Sequence, residues 1–428
     1  MSWVPVQAVE VTAWGERVGA VALDPALGAY VFEYYPEWAA KGVELAPLTM
    51  PVRRRRHVFP QLPEATFHRL PALLADALPD DFGNAVIDAW LARQGVGRGA
   101  ATPLDRLAYM ADRAMGALEF RPSRGPRHRT TSAVELSDLV EGARSVLDAE
   151  FSSDRETESA IRSLIQVGTS AGGARAKAVI AWDRETGEVR SGQLPAPEGF
   201  EHWLLKLDGM GADSELGQGD SSGRVELAYS AMAGAAGIDM TECRLLEEGD
   251  RAHFMTRRFD RLESGKAHAV TLCGTAHLDY RQRQVHDYGQ LFDVTARVVG
   301  SEALPQAFRR MVFNVLAANN DDHTKNTSFL LRSASASASW ELAPAYDLTF
   351  AHNPAGRFTY QHLMGVDGVW RDPVEADVMR LADRHLVPGA SDIVAEVHDA
   401  VAGWRGFADE AGVPDRVVRH VAENLLPW

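Results

Sequence analysis

The chain has 428 residues, 46% of them hydrophobic and 24% charged, and its 59 acidic and 44 basic side chains give a formal net charge of −15 at pH 7. This length predicts two or three domains, and the acidic balance argues against autonomous binding to nucleic-acid phosphates. Two cysteines without metal-type spacing, no signal-peptide pattern and no run of about 18 apolar residues favour a cytoplasmic protein that does not span a membrane.

Residues 1–125 are expected to form a β-rich N-terminal subdomain. Alternating and β-branched residues predict its strands, and apolar periodicity predicts its helices, with Asp80 or Asp81 as a cap before the second. The predicted elements are strands Val9–Trp14, Val18–Leu23 and Tyr30–Tyr34, and helices Leu70–Leu78 and Asn84–Arg93. A segment of Pro, Gly and basic residues at 121–132 predicts a linker that closes this subdomain.

A loop of small residues runs from Gly168 to Lys177 within a second predicted domain, residues 126–262. Helices are predicted before it at Val134–Leu147 and Ser159–Ile165, and a strand after it at Ala178–Trp182. Small residues allow main-chain N–H groups to approach a phosphate closely, and Arg175 or Lys177 could add positive charge. A tight turn without a ligand explains the same pattern, so the loop alone does not decide between the two.

Lys206 interrupts an otherwise apolar predicted strand, His202–Leu207. A lysine in a buried strand costs free energy unless a negative group pairs with it, and ATP phosphates together with Glu226, in the predicted helix Val225–Ala236, could supply that charge. An edge-strand lysine that points to water is the alternative.

The predicted strand His253–Arg261 leaves this domain at the position of a nucleotide-binding hinge. Main-chain groups of such a hinge bind adenine while apolar side chains cover the ring. Phe254 and Phe259 suit that role, but they are equally suited to the core, and Arg258 with Asp260 could form a purely structural ion pair.

Residues 263–428 predict a mainly helical lobe, with clear helical periodicity at Ala303–Ala318 and over most of 374–425. A polar loop, Asn319–Asn326, separates the first of these helices from a predicted hairpin. Its strands are Thr327–Leu331 and Trp340–Ala343, and a serine-rich tract, Ser333–Ser339, forms its tip.

The polar loop and the residue Asp347 predict phosphoryl transfer from Mg-ATP. Asp321 lies five residues before Asn326, the spacing of the kinase catalytic loop, in which the Asp accepts the substrate proton and the Asn holds Mg²⁺. Asp347 follows the second hairpin strand and would share the ion. A capped polar loop with Asp322 as N-cap is one alternative. A metal hydrolase using His323 is another, although the other histidines are scattered and no G-x-S-x-G motif occurs.

Taken together, these segments resemble the HipA family of serine/threonine kinases, the toxins of HipA–HipB toxin–antitoxin pairs, over nearly the whole chain. The matching segments are Leu78-Pro79-Asp80-Asp81-Phe82-Gly83-Asn84, Gly172-Gly173-Ala174-Arg175, Leu205-Lys206, Arg258-Phe259-Asp260-Arg261, Asp321-x-His323-x-Lys325-Asn326 and Tyr346-Asp347. The resemblance implies an α+β, divergent protein-kinase-like bilobal fold with a β-rich N-terminal subdomain and a mainly helical C-terminal lobe.

The resemblance also implies residue roles. Asp321 would accept the proton while His323 and Lys325 position the γ-phosphate, and Asn326 with Asp347 would hold Mg²⁺. ATP would be bound by the following residues: Ala171, Gly172, Gly173, Ala174, Arg175, Lys177, Lys206, Glu226, Arg257, Phe259 and Tyr346. Two positions depart from the family pattern. Arg257 stands where an acidic residue is expected, and the serine that family members autophosphorylate to become inactive is replaced by Thr169, with Ser170 beside it.

Family members phosphorylate aminoacyl-tRNA synthetases, notably the glutamyl enzyme, and bind HipB, a basic DNA-binding antitoxin. The resemblance therefore implies a protein substrate of this kind, a HipB-like partner and only indirect contact with DNA. The alternative is a nucleotide-binding co-repressor that acts mainly through its antitoxin partner. An acidic chain suits a basic partner electrostatically.

Overall fold

The computed structural model of the chain describes residues 3–52, 56–97, 99–125, 134, 136–147, 176–193, 196–208, 221–426 and 428. It divides into two compact units. The first comprises residues 1–211, 257–270 and 330–338, and the second comprises 212–256, 271–329 and 339–428, each without the residues left out above. The domain borders expected at 125 and 262 stay a prediction.

An antiparallel four-stranded sheet of order β3-β2-β1-β4 opens the first unit. Its strands are β1 (Ala8–Ala13), β2 (Glu16–Asp24), β3 (Ala29–Tyr34) and β4 (Leu118–Arg121). Trp14 and Gly15 connect β1 to β2 with φ angles of 51° and 78°, the positive values that a two-residue type I′ hairpin turn requires. The three strands predicted in this region are thus present.

The described part of the first unit also contains helices. They are α1 (Pro36–Lys41), α2 (Glu64–Phe67), α3 (Ala72–Asp76), α4 (Asp81–Arg93), α5 (Pro103–Met110) and α6 (Leu136–Leu147). The predicted helix Leu70–Leu78 is shorter, because Pro71 is its N-cap. Asp80 caps α4 by accepting a 2.6 Å hydrogen bond from the Gly83 amide. The helix predicted at Ser159–Ile165 lies outside the described residues.

Three further strands of the first unit pair antiparallel in the order β6-β5-β7. They are β5 (Lys177–Asp183), β6 (Val189–Ser191) and β7 (Phe200–Lys206). In this register Lys177 lies opposite Lys206. Like charges placed opposite each other destabilise a sheet, but the Lys177 ammonium lies 3.2 Å from the buried Asp80 carboxylate. The cap of α4 therefore also neutralises a buried lysine of β5.

A buried carboxylate, Asp260, joins the hinge segment to the loop before β4. Its side chain accepts hydrogen bonds from Arg258 at 2.7 and 2.9 Å, from Arg261 at 2.7 Å and from the Gly116 amide at 2.7 Å. Burial alone would raise the pKa of this carboxyl, but the two guanidinium groups outweigh it and hold the pKa well below its usual range. The structural ion pair considered for Arg258 and Asp260 is therefore present.

The remaining elements follow residue 220. They are α7 (Ser222–Ala235), β8 (Cys243–Glu248), β9 (Arg251–Arg257), β10 (Arg261–Leu262), β11 (Gly265–Lys266), β12 (His268–Thr271), α8 (Leu272–Ala276), β13 (His286–Asp287), α9 (Tyr288–Val298), a 3₁₀ turn (Ser301–Ala303), α10 (Leu304–Leu316), β14 (Ser328–Leu331), β15 (Trp340–Leu342), β16 (Met364–Gly365), α11 (Glu375–Arg384), α12 (Ala390–Ala402), α13 (Trp404–Glu410) and α14 (Asp415–Ala422). No helix among the described residues is long and apolar enough to cross a bilayer.

The core of the second unit is helical, as predicted. Helix α10 packs against α12, and α7 packs against α13. Tyr229 of α7 contacts Trp404 edge-on with ring centroids 5.2 Å apart, and its hydroxyl donates a 2.7 Å hydrogen bond to the carbonyl of Ala317, just beyond α10. This packing fixes the end of α10, from which the polar loop begins.

Candidate catalytic loop

The polar loop begins where α10 stops. Ala318 takes a left-handed φ of 51°, and the Asn319 amide donates back to the Asn314 carbonyl at 2.9 Å. The Asn320 amide then donates to the carbonyl of Ala351 at 3.1 Å, and the Ala351 amide donates to Ala318 at 3.1 Å. These bonds turn the chain out of the helix and hold its next residues extended.

Asp322 lies at the buried centre of the loop, with a fully buried side chain. One carboxylate oxygen accepts from the amides of Leu363 and Met364 at 2.7 and 3.2 Å. The other accepts from the Tyr288 hydroxyl at 2.7 Å and lies 2.9 Å from His362 Nδ1. Asp322 thus does not cap a helix. It anchors the loop, because its four partners satisfy a charge that would otherwise be costly to bury.

Two asparagines extend this network back into α10. The Asn319 amide donates to the Asn314 side-chain oxygen at 2.8 Å, and the Asn314 amide donates to the Tyr288 hydroxyl at 2.9 Å. Burial raises the pKa of Tyr288 well above its usual value, and the neighbouring Asp322 carboxylate raises it further. The phenol therefore stays protonated and donates to Asp322.

Asp321 and Asn326 are brought together as the sequence predicts. The Asn326 side-chain amide donates a 2.7 Å hydrogen bond to the Asp321 main-chain oxygen, and the Asn326 main-chain amide donates to the His323 carbonyl at 2.8 Å. Both side chains are half-buried. Because the NH₂ group is committed to Asp321, the planar carboxamide directs its oxygen to the opposite side, where it can serve as a metal ligand.

Tyr346 joins the second strand of the hairpin to the loop. Its hydroxyl donates to the Lys325 carbonyl at 2.7 Å and accepts from the Ser328 hydroxyl at 2.6 Å. The next residue, Asp347, takes a left-handed φ of 59°. Lys325 precedes Asn326 and Tyr346 precedes Asp347, so this contact brings the two predicted metal-binding positions to the same end of the hairpin.

The segment before Tyr346 is fixed by a buried arginine. Arg310 of α10 donates a 2.8 Å hydrogen bond to the Ala343 carbonyl, and burial lowers the pKa of its guanidinium to about 10, so it remains charged at neutral pH. The Ala345 amide donates to the Asp239 carbonyl at 2.7 Å. Two hydrogen bonds therefore hold the segment that leads to Asp347, one from the Arg310 side chain to Ala343 and one between the main chains of Ala345 and Asp239.

His323 and Lys325 share one aromatic neighbour. The ring of Tyr280 meets His323 edge-on with centroids 5.3 Å apart, and the Lys325 ammonium lies 5.0 Å from the Tyr280 centroid. His323 Nδ1 is buried and has no hydrogen-bond partner among the described residues. A nearby hydrogen bond from the Thr324 hydroxyl to the Leu278 carbonyl, at 2.6 Å, holds the Tyr280 segment against the loop.

The oxygen ligands at this end of the hairpin fit magnesium. A carboxamide and a carboxylate, from Asn326 and Asp347, are hard oxygen donors, and Mg²⁺ commonly takes only one or two protein ligands beside phosphate and water. No group of three or more His, Cys, Asp or Glu side chains able to hold a metal occurs in the part of the chain that the structure describes. A site completed by ATP phosphates needs no such group.

The other predicted site residues fall into three sets. Glu226 of α7 belongs to the second unit and is buried. Lys177, Lys206, Arg257 and Phe259 belong to the first unit, where Arg257 is exposed and pairs with Glu201 at 3.4 Å. Several positions lie outside the described residues, namely Thr169, Ser170, Ala171, Gly172, Gly173, Ala174 and Arg175.

The pairing of Lys177 with Asp80 limits the role predicted for Lys177. The lysine is 2% exposed and its ammonium already has a carboxylate neighbour. Contact with an ATP phosphate would require that pair to open.

Sequence reasoning missed the residues that hold the loop in place. The sequence indicates Asp322 only as a helix cap and gives no indication of Tyr288, His362 or Tyr280. An acidic residue directly beside Asp321 in an otherwise catalytic pattern was the available signal for Asp322. The aromatic and histidine partners come from distant segments and carry no local signal.

Comparisons with known proteins give the family. The HipA N-terminal domain model matches residues 9–121, and the HipA-like C-terminal domain model matches residues 169–423. No curated protein matches the sequence.

Solved structures with a similar fold include HipA from Shewanella oneidensis MR-1, in a complex of HipA, HipB and operator DNA. That chain is 16% identical with a TM-score of 0.68, and the alignment covers 97% of this chain and 94% of that one. The Helicobacter pylori proinflammatory kinase CtkA also matches, at 12% identity and a TM-score of 0.34, over 59% of this chain and 94% of that one. The expected α+β, kinase-like fold is confirmed, and because the two family models together span most of its length, the chain belongs to the HipA family.

Proposed function

We propose that the chain is a Mg-ATP-dependent serine/threonine protein kinase that acts as the toxin of a toxin–antitoxin module. The observation that carries the proposal is the loop geometry, in which the Asn326 side chain is hydrogen-bonded at 2.7 Å to the main chain of Asp321. This contact fixes the main chain of the proposed proton acceptor relative to the side chain of the proposed metal ligand. Phosphoryl transfer depends mainly on such positioning.

In this proposal each loop side chain has one task. Asp321 accepts the proton of the acceptor hydroxyl, and His323 and Lys325 position the γ-phosphate. Lys206 contacts the ATP phosphates, and the family resemblance also assigns Glu226 to ATP binding. The remaining ATP contacts come from Arg257, Phe259, Tyr346 and the loop Ala171–Arg175, as the family resemblance implies, while Lys177 stays paired with Asp80.

Asn326 and Asp347 would hold Mg²⁺ through one carboxamide and one carboxylate oxygen. When bound, the ion would neutralise charge that develops on the transferred phosphoryl group. The protein's own contribution is the fixed orientation of both ligands, which the Tyr346–Lys325 hydrogen bond supports.

The proposed acceptor is a translation component such as an aminoacyl-tRNA synthetase. Autophosphorylation at Thr169 or Ser170, next to the glycine loop, would switch the kinase off. A phosphate there adds roughly 1.5–2 negative charges beside groups that must bind ATP phosphates. Both suggestions rest on the family resemblance.

The proposed partner is a HipB-like antitoxin, which would carry the complex to DNA. The Shewanella oneidensis protein of similar fold occurs in a complex with HipB and operator DNA. That complex also favours a second candidate function, in which the chain is a nucleotide-binding co-repressor acting through its antitoxin and transferring no phosphoryl group.

Phosphoryl transfer from γ-³²P-labelled ATP with Mg²⁺ tests the proposal directly. The wild type is compared with Asp321→Asn and with Asp383→Asn, a matched control at an exposed position of α11. Label incorporation into the protein and into a synthetase substrate should fall about 100-fold or more for Asp321→Asn and stay unchanged for Asp383→Asn.

Mass spectrometry of the purified protein should then locate phosphate on Thr169 or Ser170. No label transfer from the wild type, with undiminished binding to the antitoxin, would reject the kinase and favour the co-repressor. Release of free phosphate without any labelled protein would instead favour a hydrolase.

A further inference from the structure

Three arginines of the second unit lie over aromatic rings at the surface. The Arg281 guanidinium carbon is 5.0 Å from the Tyr280 centroid, while those of Arg283 and Arg357 are 5.4 and 5.3 Å from the Phe358 centroid. We call these five residues the arginine–aromatic patch. Phe358 is 44% exposed, which leaves part of an apolar ring open between two positive charges.

Hydrogen bonds join the two segments that form the patch. The Arg283 guanidinium donates to the Arg357 carbonyl at 2.6 Å, and the Gln284 side-chain amide donates to the Gln361 side-chain oxygen at 2.9 Å. Residues 281–284 and 357–361 are thus fastened side by side. The arrangement is a defined surface with rings and guanidinium groups in fixed contact.

Two of the three guanidinium groups in the patch lack an ion-pair partner among the described residues. No Asp or Glu among the described residues forms an ion pair with Arg283 or Arg357, and both are exposed. Elsewhere on the second unit, exposed arginines are commonly paired, as Arg380 and Arg384 are with Asp367 at 2.9 and 2.5 Å. The patch thus concentrates positive charge on a chain whose net charge is −15.

The patch adjoins the catalytic loop through Tyr280. The ring that carries Arg281 also lies 5.0 Å from the Lys325 ammonium and meets His323 edge-on, with centroids 5.3 Å apart. A molecule bound to the patch would therefore lie beside residues one and three positions before Asn326.

We propose that the arginine–aromatic patch docks an acidic segment of the protein whose hydroxyl group is phosphorylated. The inference rests on the proposed kinase function and adds the charge class of its acceptor. Guanidinium groups bind carboxylates through two parallel hydrogen bonds, and the exposed Phe358 ring offers apolar contact to an adjacent side chain.

A short acidic segment fits the charges better than a nucleic acid does. Without the three arginines, the rest of the chain carries a net charge of −18, that is −15 − 3. A long polyanion would also contact the surface outside the patch and would be repelled by the net negative charge of the rest of the chain, whereas a few carboxylates contact the patch alone.

The test uses full-length protein and three fluorescein-labelled probes. The first is a peptide with one serine among glutamates, the second has glutamine in place of every glutamate, and the third is a single-stranded oligouridylate. The variant Arg283→Glu/Arg357→Glu is compared with wild type and with Arg93→Glu/Arg297→Glu. The control reverses two arginines that are exposed, lie outside the patch and form no ion pair with the described residues, so both variants change the net charge equally.

The wild type should bind the glutamate peptide at least tenfold more tightly than the glutamine peptide at about 50 mM salt, and should lose this preference at about 500 mM salt because of screening. The patch variant should raise the Kd and the KM for the glutamate peptide about tenfold more than the control variant does. Its autophosphorylation rate and its KM for ATP should stay within twofold of wild type.

Equal losses in the patch variant and the control, or no preference of the wild type for glutamate, would overturn the inference. Tighter binding of the oligouridylate than of the glutamate peptide would also overturn it, in favour of RNA. Anisotropy measures docking without catalysis. A wild type that binds the acidic peptide through the patch but transfers no phosphate would therefore reject the kinase function separately.

Discussion

Replacing Asp322 measures how strongly the buried network holds the candidate catalytic loop. Its carboxylate accepts from two main-chain amides, at 2.7 and 3.2 Å, and from the Tyr288 hydroxyl at 2.7 Å, and it lies 2.9 Å from His362. Asp322→Ala leaves four buried polar groups without this partner. An unsatisfied buried donor costs about 1–3 kcal/mol, so the free energy of unfolding should fall by about 4 kcal/mol or more.

Asp322→Asn separates the contributions of the two carboxylate oxygens. The remaining oxygen can still accept from the amides of Leu363 and Met364, while the new NH₂ group faces Tyr288 and His362, so the loss should be about 2 kcal/mol. Urea unfolding followed by circular dichroism gives both values, with the exposed Asp383→Ala as a control that should change stability by less than about 0.5 kcal/mol.

The order of the three variants is the decisive result. If Asp322→Ala lost less than about 1 kcal/mol, or no more than Asp322→Asn, the network would not anchor the loop and the reasoning would be refuted.

Three further changes have definite expected results. Gly116 has a φ of 80°, and a Cβ at this position would lie 2.7 Å from the main-chain nitrogen of Ala269. Gly116→Ala should therefore lower the free energy of unfolding in urea by about 2–4 kcal/mol, and a decrease below about 0.5 kcal/mol would contradict that contact. Burial lowers the pKa of His268 from 6.5 to about 4, so its contribution to stability is complete above pH 6.5 and is lost as the pH falls through 4. Between pH 7 and pH 4 the free energy of unfolding of the wild type should therefore fall by about 3 kcal/mol more than that of His268→Gln, which lacks the imidazole. Tyr280→Leu removes the ring beside His323 and Lys325 and should lower the autophosphorylation rate about tenfold, whereas the rate of Tyr280→Phe should stay within twofold of wild type. Equal rates for the two variants would show that the ring does not position the loop.

Local patterns were sufficient to predict three of the four strands of the first sheet and the helix before the candidate catalytic loop. Val9 and Val11 alternate with more exposed residues in β1, and α10 carries the apolar periodicity that its burial confirms. Both signals arise from contacts that repeat along one segment. The spacing of Asp321 and Asn326 is equally local, and the structure joins them by a hydrogen bond.

Contacts between distant segments could not be predicted in this way. Asp322 depends on Tyr288 and His362, which lie 34 and 40 positions away, and no periodicity relates them. Lys177 illustrates the same limit, because its position at the end of a glycine loop predicted a phosphate contact. Its pairing with Asp80, almost a hundred residues earlier, became visible only in the fold.

The buried contacts that Asp80 makes with Lys177 and Asp260 makes with Gly116 have a consequence for truncating the protein. The Lys177–Asp80 ion pair and the hydrogen bond from the Gly116 amide to Asp260 each have one partner before residue 121, in the stretch matched by the HipA N-terminal domain, and the other well beyond it. A fragment starting after this stretch would retain the Lys177 ammonium without its counterion and the Asp260 carboxylate without the Gly116 amide. The leading segment therefore contributes buried partners to the folded first unit, and deleting it should destabilise what remains.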